Sequence, residues 1–347
     1  MSSFTNHQNM FHIVEAETAD ELWREAAQWF ADEGASKQEG RGGPTAEILR
    51  AGLSLRNPRQ RWVASRVPAI NPAFAIAEVV WIVAGRRDSE FLNFFNPSLP
   101  KYQGVGPIYG RSYGYRLREH FGLDQLHRAC TVLRTNTDSR QVVLQIWDSA
   151  SDLPLEDGSP QGPDIPCNIV SLLKIRNGRL EWTQIMRSND LFRGLPHNIV
   201  QFTCLQEVMA GWLGVDLGSY NHFSDSLHLY HNDGTVSERL EPFALAKNPD
   251  DLALPKNESD RAFIQLGEFA NLLVSTDRKS ADIDYAFGKL ELPAAYLNLA
   301  AVLAAEALRR REDNAESQRM IENCTNSCLI QLFNRWNARV SARRLTV

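Results

Sequence analysis

The sequence lacks several features that would assign it to a specialised class of protein. It has only five cysteines in 347 residues, an odd and scattered set that is typical of reduced thiols rather than of a disulfide framework. It has no run of about 18 apolar residues, which a transmembrane helix requires. It also has no basic start followed by an apolar stretch, so we expect no secretory signal. We therefore predict a cytoplasmic protein.

The sequence also lacks an excess of positive charge. Its 37 lysines and arginines are outnumbered by 42 aspartates and glutamates, which gives a net charge of −5 at pH 7. A protein dedicated to nucleic-acid binding needs a basic surface to neutralise phosphates. We therefore expect neither dedicated nucleic-acid binding nor a membrane partner, although a local basic pocket remains compatible with this charge.

The N-terminal part contains two predicted helices of different character. Helical spacing of apolar residues predicts an amphipathic helix at 20–32. The segment 73–84 is apolar nearly all round, as a buried helix would be, and its one carboxylate is Glu78. Between them, the glycine-rich stretch 39–45 breaks the first helix, and 51–65 favours a strand or hairpin.

The middle of the chain predicts a sheet. The segments 140–147, 169–175 and 179–186 are β-branched or alternating, and Asn177-Gly178 is typical of a hairpin turn between the last two. A helix follows at 198–213.

The later part of the chain changes in composition. Gly214, Asp216 and Gly218 predict a loop before Tyr220, and 235–258 is also loop-like. From about 260, alanine, leucine and arginine predict at least three helices and a basic tail. Together these patterns predict a mixed α/β (α+β) protein.

Cys167 is a candidate nucleophile. It lies in the segment 163–168 (PDIPCN), directly before a predicted strand. A cysteine in this position is more often a buried packing residue than a nucleophile. The functional interpretation depends on Arg187, Ser188, Asn189 and Asp190, which follow the next strand. An arginine near a thiol lowers its pKa, and arginine with serine can hold a phosphate. The alternative for this segment is an ordinary turn with a helix N-cap at Ser188 or Asp190.

Three further polar residues are candidates for substrate binding. Asn198 follows Pro196 near a predicted helix start and is either a helix cap or a reader of a base edge, because its amide offers both an acceptor and donors that match N3–H and O4 of uracil. His228 and Tyr230 lie two apart on an extended run, so they share one face and could reach a sugar hydroxyl. Their alternative is a hydrogen-bonded core histidine with a packed tyrosine.

At this point the residues resemble the thymidylate synthase family. Each shared motif is weak alone, but nine in the same order over about the first two-thirds of the chain are specific. They are AEVVWIVAG (77–85), GPIYG (106–110), DQL (124–126), DSRQ (138–141), SDLP (151–154), IPCN (165–168), MRSND (186–190), GLPHNI (194–199) and SDSLHLY (224–230). The resemblance implies a mixed sheet with surrounding helices, a catalytic core at 1–235 and a loop and helical region of uncertain role at 236–347.

The resemblance also implies the chemistry. In such enzymes a thiolate adds to C6 of a pyrimidine nucleotide, and C5 then takes a one-carbon unit from 5,10-methylenetetrahydrofolate, with no metal. By position, Cys167 is the nucleophile, Glu78 organises water and proton transfer at O4, and Tyr109 assists removal of the C5 proton. Asp190 is assigned both to catalysis and to the folate pterin.

Binding roles follow in the same way. Arg187 and Ser188 would hold the phosphate with help from Arg41, and Arg140 would arrive from the partner subunit of a homodimer. Asn198 would read uracil, and His228 and Tyr230 would contact the sugar. The folate would be contacted by Asp190, Trp81, Arg193, Gly194 and His197.

Several residues depart from the family pattern. Gln141 stands where a second phosphate-binding arginine is usual, Asn168 replaces a histidine, Leu172 a glutamine and Asp148 an asparagine. Arg193 and His197 stand where leucine and phenylalanine are usual, and the final RRLTV does not resemble the family's short closing tail, which shields the intermediate from water.

These departures leave three functions open. Water capture of the intermediate would give a hydroxymethylated nucleotide, the hypothesis we slightly favour. Reductive methylation of dUMP to dTMP, with release of dihydrofolate, is the alternative. A non-catalytic nucleotide- or folate-binding relative is the third, although it would have no use for Cys167. The sequence does not distinguish ribose from deoxyribose. We predict that Cys130, Cys204, Cys324 and Cys328 are packing residues, the last two on one helix and not part of a metal site.

Overall fold

A computed structural model describes residues 11–31, 35–40, 42–275 and 277–344, with side chains to 342. Eight strands occur in these ranges: β1 (His12–Ala16), β2 (Ser36–Gly40), β3 (Gly43–Leu55), β4 (Val143–Gln145), β5 (Asn168–Arg176), β6 (Arg179–Met186), β7 (Asn189–Asp190) and β8 (Asp216–Tyr230). They form one mixed sheet in the order β1-β3-β8-β6-β5-β4, with β2 added to β3 and β7 to β8.

Helices surround this sheet. In the described ranges they are α1 (Ala19–Ala31), α2 (Pro72–Val83), α3 (Ser89–Phe95), α4 (Pro100–Gln103), α5 (Tyr113–Tyr115), α6 (Gln125–Thr135), α7 (Ser149–Asp152), α8 (Leu195–Leu213), α9 (Val236–Arg239), α10 (Lys256–Val274), α11 (Ser280–Phe287), α12 (Ala294–Arg310), α13 (Asn314–Ile321) and α14 (Ser327–Arg344). A π-helical turn at Arg116–His120 and a 3₁₀ turn at His231–Asp233 complete them. The predicted mixed α/β fold is confirmed.

Helix α2 is the centre of the helical layer. It begins after Asn71, whose side chain accepts a hydrogen bond from the Phe74 amide at 3.2 Å, and Pro72 occupies its first turn. Eleven of its twelve residues are buried, and the exception is Glu78. Helices α8, α10, α12 and α14 all pack against α2. The predicted buried helix is confirmed, and the side chain of its single carboxylate, Glu78, is 15% exposed.

The β5–β6 hairpin forms as predicted. Asn177 and Gly178 both have left-handed backbone angles, with φ of 51° and 71°, as a tight two-residue turn requires. The two strands pair antiparallel from Asn168 opposite Met186 to Arg176 opposite Arg179. This register brings the two strand ends that flank Cys167 and Arg187 to the same edge.

Several predicted elements differ from the structure in extent or type. The predicted strand 140–147 is regular only at Val143–Gln145. The strand or hairpin predicted at 51–65 corresponds to the end of β3, which begins earlier, at Gly43, and ends at Leu55. The predicted loop before Tyr220 is instead the start of β8.

Gly218 explains the last error. It lies within β8 beside a register shift between Leu180 and Trp182 of β6, and a Cβ at Gly218 would lie 2.8 Å from the backbone carbonyl oxygen of Leu180. Glycine is therefore required by a close neighbour in the sheet and not by a turn.

The C-terminal helices complete the layer over α2. The predicted minimum of three helices after residue 260 is confirmed, since α10 to α14 occupy the described part of this region. In α12, 14 of 17 residues are buried. The division of the chain at residue 235 stays a prediction. Among the described residues, no helix combines the length and apolar character needed to cross a membrane.

Candidate active site

One cavity of about 1190 Å³ opens where β5, β6, β7 and β8 end beside α2 and the start of α8. It brings together most of the residues singled out from the sequence. Those that line it are Glu78, Trp81, Tyr109, Cys167, Arg187, Ser188, Asp190, Arg193, Gly194, His197, Asn198, His228 and Tyr230.

Cys167 lies at the cavity wall immediately before β5. The amide of Arg187 donates to the Cys167 carbonyl oxygen at 2.9 Å, and its Nε donates to the Pro166 carbonyl oxygen at 3.0 Å. The guanidinium also lies 5.6 Å from the centre of the Trp147 ring. Backbone and side-chain bonds therefore fix this cation on the segment that carries the thiol.

Ser188 and His228 meet across β7 and β8. Ser188 Oγ lies 3.3 Å from His228 Nδ1, and the His228 ring packs edge-on against Tyr230 at 5.2 Å. Burial lowers the pKa of His228, while the nearby Asp190 opposes that shift. The imidazole is therefore neutral near pH 7 and can both donate and accept hydrogen bonds in the cavity.

Asp190 anchors the turn that leads into α8. Its Oδ1 accepts hydrogen bonds from the amides of Phe192 at 2.8 Å and Arg193 at 2.7 Å. Burial raises the pKa of the Asp190 carboxyl, and the bonds to Arg193 oppose this. Arg193 itself binds Asp233 at 2.5 Å. The alternatives of an N-cap at Ser188 or Asp190 are both excluded, because α8 begins after Gly194.

Asn198 lies inside the first turn of α8 and is not its cap. Its backbone amide donates to the Gly194 carbonyl oxygen at 2.9 Å, and its side-chain amide donates to Gln201 Oε1 at 3.1 Å. The cap itself is Gly194, where a Cβ would lie 2.7 Å from Asn189 Oδ1. The side chain of Asn198 is 7% exposed at the cavity, so it remains available as a base reader.

Glu78 and His197 face each other across the cavity wall, between α2 and α8. Glu78 Oε2 lies 3.3 Å from His197 Nδ1. Trp81, one turn further along α2, donates from Nε1 to the Asp88 carbonyl oxygen at 3.0 Å and packs edge-on against Tyr109. Tyr109 donates its hydroxyl hydrogen to Asn93 Oδ1 at 2.6 Å, and burial raises its pKa.

Two cavity residues near the thiol were missed from the sequence. Tyr113 lies against Cys167 and Asn168, and burial raises the pKa of its phenol. Asp164 accepts from the Arg111 amide at 3.3 Å, and burial raises its pKa to about 6. Asp164 lies three residues before Cys167, so its short distance along the sequence could have identified it as a site residue. Tyr113 is 54 positions away and reaches the thiol only through the fold.

Arginines from distant parts of the chain line the far end of the cavity. Arg66, Arg310 and Arg339 each donate to a backbone carbonyl oxygen, at 2.5, 2.6 and 2.6 Å, and Arg239 lies in the same wall. Arg310 is also paired with Glu306, whose Oε1 lies 2.8 Å from its Nε. Burial lowers the pKa of Arg66 to about 10 despite the opposing charges of Asp190 and Asp233. This wall suits an anionic group.

The remaining predicted residues lie elsewhere. Arg140 is exposed outside the cavity of the single chain, and its arrival from a partner stays a prediction. Arg41 lies outside the described residues, although its neighbours Gly40 and Gly42 line the cavity. Within the described ranges, His, Cys, Asp and Glu side chains form no group of three or more suited to a metal ion.

The other four cysteines are buried away from the cavity. Cys324 and Cys328 do not share a helix, because Cys324 precedes α14 and Cys328 lies within it. The Cys324 thiol instead donates to the Asn326 carbonyl oxygen at 3.6 Å in the connecting turn.

Comparison with known proteins agrees with this arrangement. The family model for thymidylate synthase matches residues 24–262. The chain is 36% identical over 204 residues to a deoxyuridylate hydroxymethyltransferase of Bacillus phage SP01, covering 56% of this chain and 52% of that protein. It is 37% identical over 182 residues to the protein of the same name from Pseudomonas phage M6, covering 52% and 50%. The chain thus spans about half the length of these two relatives.

A third relative covers a different share. A putative thymidylate synthase of Methanothermobacter marburgensis is 27% identical over 221 residues, which is 64% of this chain and 94% of that protein. Because the family model covers more than half of the chain, including every predicted site residue described above, this protein belongs to the thymidylate synthase family.

Proposed function

We propose that this protein transfers a one-carbon unit to C5 of a uridylate nucleotide through a covalent adduct on Cys167, and that its product is hydroxymethylated. The observation that carries the proposal is the position of Cys167. Its segment is fixed to Arg187 at the wall of a cavity whose other polar groups match the parts of a nucleotide. A guanidinium that lies near a thiol favours the reactive thiolate form, and Arg187 is held on the segment that carries Cys167.

The polar groups of the cavity fit a uridylate in order. Arg187 and Ser188 suit the phosphate, because a guanidinium and a hydroxyl make charge-assisted bonds to its oxygens. His228 and Tyr230 stand on the same face of β8 and suit the sugar. Asn198 is buried at the start of α8 and suits the N3–H and O4 edge of uracil, for which an amide has both an acceptor and donors.

The residues also fit the steps of C5 substitution. Attack of the Cys167 thiolate on C6 pushes electron density to C5 and O4, so the ring becomes a carbon nucleophile without a strong base. Glu78 faces the cavity from α2 and suits proton transfer near O4. Tyr109 is held by Asn93 at 2.6 Å and suits removal of the C5 proton.

The rest of the cavity fits a methylenetetrahydrofolate co-substrate. That molecule supplies the one-carbon unit when bound. Trp81, His197 and Phe74 offer flat surfaces for its rings, and Asp190 and Gly194 lie beside them. Arg66, Arg310 and Arg339 line the same cavity and suit its carboxylates.

The hydroxymethyl product is favoured by the polarity of this wall. Arg193 and His197 put charge and hydrogen-bonding capacity where the leucine and phenylalanine that are usual in the family would exclude water. The two phage relatives are also named deoxyuridylate hydroxymethyltransferases. Reductive methylation to dTMP is the second candidate, supported by the relative named as a putative thymidylate synthase. A purely binding role leaves the cavity thiol without a purpose.

Product analysis tests the proposal. Purified protein is incubated with methylenetetrahydrofolate and with dUMP, UMP or dCMP, and the nucleotide is identified by mass spectrometry while dihydrofolate is followed by absorbance. We expect 5-hydroxymethyl-dUMP and no dihydrofolate. Stoichiometric dihydrofolate beside a 5-methyl product would establish the synthase reaction instead, and no modification of any nucleotide would reject one-carbon transfer.

The base assignment has its own test. Asn198→Asp should move the preference from a uracil towards a cytosine nucleotide, because a protonated aspartate donates to N3 and accepts from the exocyclic amine. A mismatched buried polar group costs about 1–3 kcal/mol, so the ratio of kcat/KM values should shift by about 10- to 100-fold. An unchanged ratio would show that Asn198 only supports the helix through Gln201.

We also infer a homodimer. The sheet face opposite the helices carries apolar side chains that nothing covers in the described single chain, with Leu49 45% and Val143 50% exposed. Arg140 precedes β4 at this side and would be able to enter a partner's cavity. Light scattering should give twice the 39.2 kDa chain mass. Mixed Arg140→Ala and Cys167→Ala protomers should recover activity that neither variant has alone, and a monomer would contradict the inference.

A further inference from the structure

Glu78 and His197 form an unusual buried pair. Glu78 lies in the middle of α2 and His197 in the first turn of α8, with side chains 15% and 17% exposed. Glu78 Oε2 and His197 Nδ1 are 3.3 Å apart, and both atoms are shielded from solvent. This distance allows an ion pair, but the two atoms are not aligned for a hydrogen bond, and neither has another hydrogen-bond partner in the part of the chain that the structure describes. A small ring rotation would align it, as often happens when an active site fills.

The other two polar atoms of the pair are placed differently. Glu78 Oε1 and His197 Nε2 are not among the shielded atoms, and both residues line the cavity. Phe74, one turn before Glu78 on α2, packs edge-on against the imidazole at 5.1 Å. The ring is therefore held between Phe74 and the carboxylate, with its outer nitrogen available to the cavity.

This arrangement matches a carboxylate-oriented imidazole. A carboxylate beside Nδ1 favours the tautomer that carries its proton there, which leaves Nε2 unprotonated and basic. We infer that His197, oriented by Glu78, is the general base that activates the water which becomes the hydroxyl group of the product. This inference rests on the proposed hydroxymethylation.

The step balances without an oxidant or reductant. The water oxygen forms a bond to the methylene carbon on C5 of the Cys167-bound nucleotide, and a water proton passes to His197 Nε2. The electron pair of the C5–methylene double bond moves to O4 as an enolate. The enolate then re-forms the C4 carbonyl, the C5–C6 double bond is restored, and the C6–sulfur bond breaks to release Cys167 as a thiolate.

Neighbouring polar groups are less suited to this role. Arg193 cannot accept a proton, and it is held by Asp233 and packed over Tyr230. Asp190 already accepts two backbone amide bonds. His228 Nδ1 is engaged by Ser188 on the side assigned to the sugar. His197 therefore has the geometry that these groups lack.

The experiment compares three substitutions. His197→Phe removes the base and keeps a ring beside Phe74, His197→Gln keeps hydrogen-bonding capacity without a base, and His120→Phe is the matched control outside the cavity. General base catalysis contributes about 100-fold or more. We expect the ratio of hydroxymethyl product formed to C5 tritium released in one turnover to fall about 100-fold in His197→Phe and His197→Gln, a ratio that weaker folate binding alone would not change. The nucleotide adduct on Cys167 should accumulate in intact-mass spectra, and His120→Phe should behave as wild type.

A second readout needs neither folate nor turnover. Nitrogen NMR of the imidazole in the dUMP complex should show the Nδ1–H tautomer of His197 in wild type and its loss in Glu78→Gln. Calorimetric dUMP binding by His197→Phe should match wild type, which shows that the nucleotide site is folded. If wild type makes hydroxymethyl product and His197→Phe does so within threefold of its rate, the inference is overturned and the proposed function stands. If wild type makes dihydrofolate and a methyl product, the proposed function fails and the inference with it.

Discussion

Cys167 and Cys204 each have an arginine close by, and the surroundings of the two thiols differ. In the core behind α8, Arg61 donates to Cys204 Sγ at 2.6 Å and pairs with Glu207, whose side chain is fully buried. Arg59 adds a second bond to Glu207 at 2.6 Å. Burial by itself would lower the pKa of Arg61, but Cys204 and Glu207 raise it above its ordinary value. Burial raises the pKa of the Cys204 thiol.

Two charged groups in the cavity show the opposite balance between burial and neighbouring charges. Burial raises the pKa of Asp164 to about 6 and lowers that of Arg66 to about 10, and neighbouring charges do not restore either. At Arg61 the charges of its partners outweigh burial, whereas at Asp164 and Arg66 burial outweighs the neighbouring charges. Proximity of an arginine therefore does not identify a reactive cysteine. Cys167 differs from Cys204 because its thiol lies at a cavity wall that a ligand can reach, and because the same cavity holds charged groups that a ligand could pair with.

The largest expected effect separates the two thiols by chemistry. Cys167→Ala should lower turnover by about 10⁴-fold or more, because the covalent step has no substitute, while the free energy of unfolding stays within about 0.5 kcal/mol of wild type. Cys204→Ala is the matched control and should keep wild-type kcat/KM. Both are measured by C5 tritium release and urea denaturation. Retained tritium release in Cys167→Ala would remove the distinction between the two sites.

The next effect tests the core pair. Arg61→Met should destabilise the fold by about 3–5 kcal/mol, because it leaves Glu207 buried with only the half-exposed Arg59 as partner. The urea midpoint of unfolding measures this change. Arg61→Met combined with Glu207→Gln should recover part of the loss, since no buried charge then remains. If the single and the double variant were equally stable, the buried charge of Glu207 would not be the cause of the lost stability.

The smallest effect tests the cavity. The folded protein holds the Asp164 proton up to a pKa of about 6, against an ordinary value of 3.8, so stability falls as pH rises through this range and the penalty is complete above it. Asp164→Asn cannot ionise and should be more stable than wild type by about 1–3 kcal/mol at pH 8, with no difference near pH 3.5. Thermal unfolding across this range is the measurement, and parallel pH curves would contradict the assignment.

Local patterns in the sequence predicted the elements whose causes are local. The apolar run that forms α2 and the Asn177-Gly178 turn of the hairpin are determined by neighbouring residues in the sequence, and both predictions are confirmed. The start of β8 could not be predicted, because Gly218 is typical of a turn until the Leu180 backbone of the neighbouring strand is placed beside it. A single sequence shows the glycine and not the neighbour.

The site divides in the same way. Cys167 and Arg187 lie 20 residues apart at the two ends of one hairpin, so the sequence pattern was enough to place them together. Tyr113 reaches Cys167 through the packing of the helical layer, and Arg310 and Arg339 reach the cavity because α12 and α14 pack on α2. No spacing rule connects such residues before the fold is known.

The packing of α12 and α14 on α2 also sets the order in which the protein can be made. The cavity is lined by residues from Gln38 to Arg339, so on the ribosome its last wall exists only after some 300 residues of the chain have followed the first. Until then α2, apolar on almost every side, has no cover on the face that these helices bury. Synthesis therefore passes through a long stage in which the nascent chain exposes an apolar surface of the kind that favours aggregation.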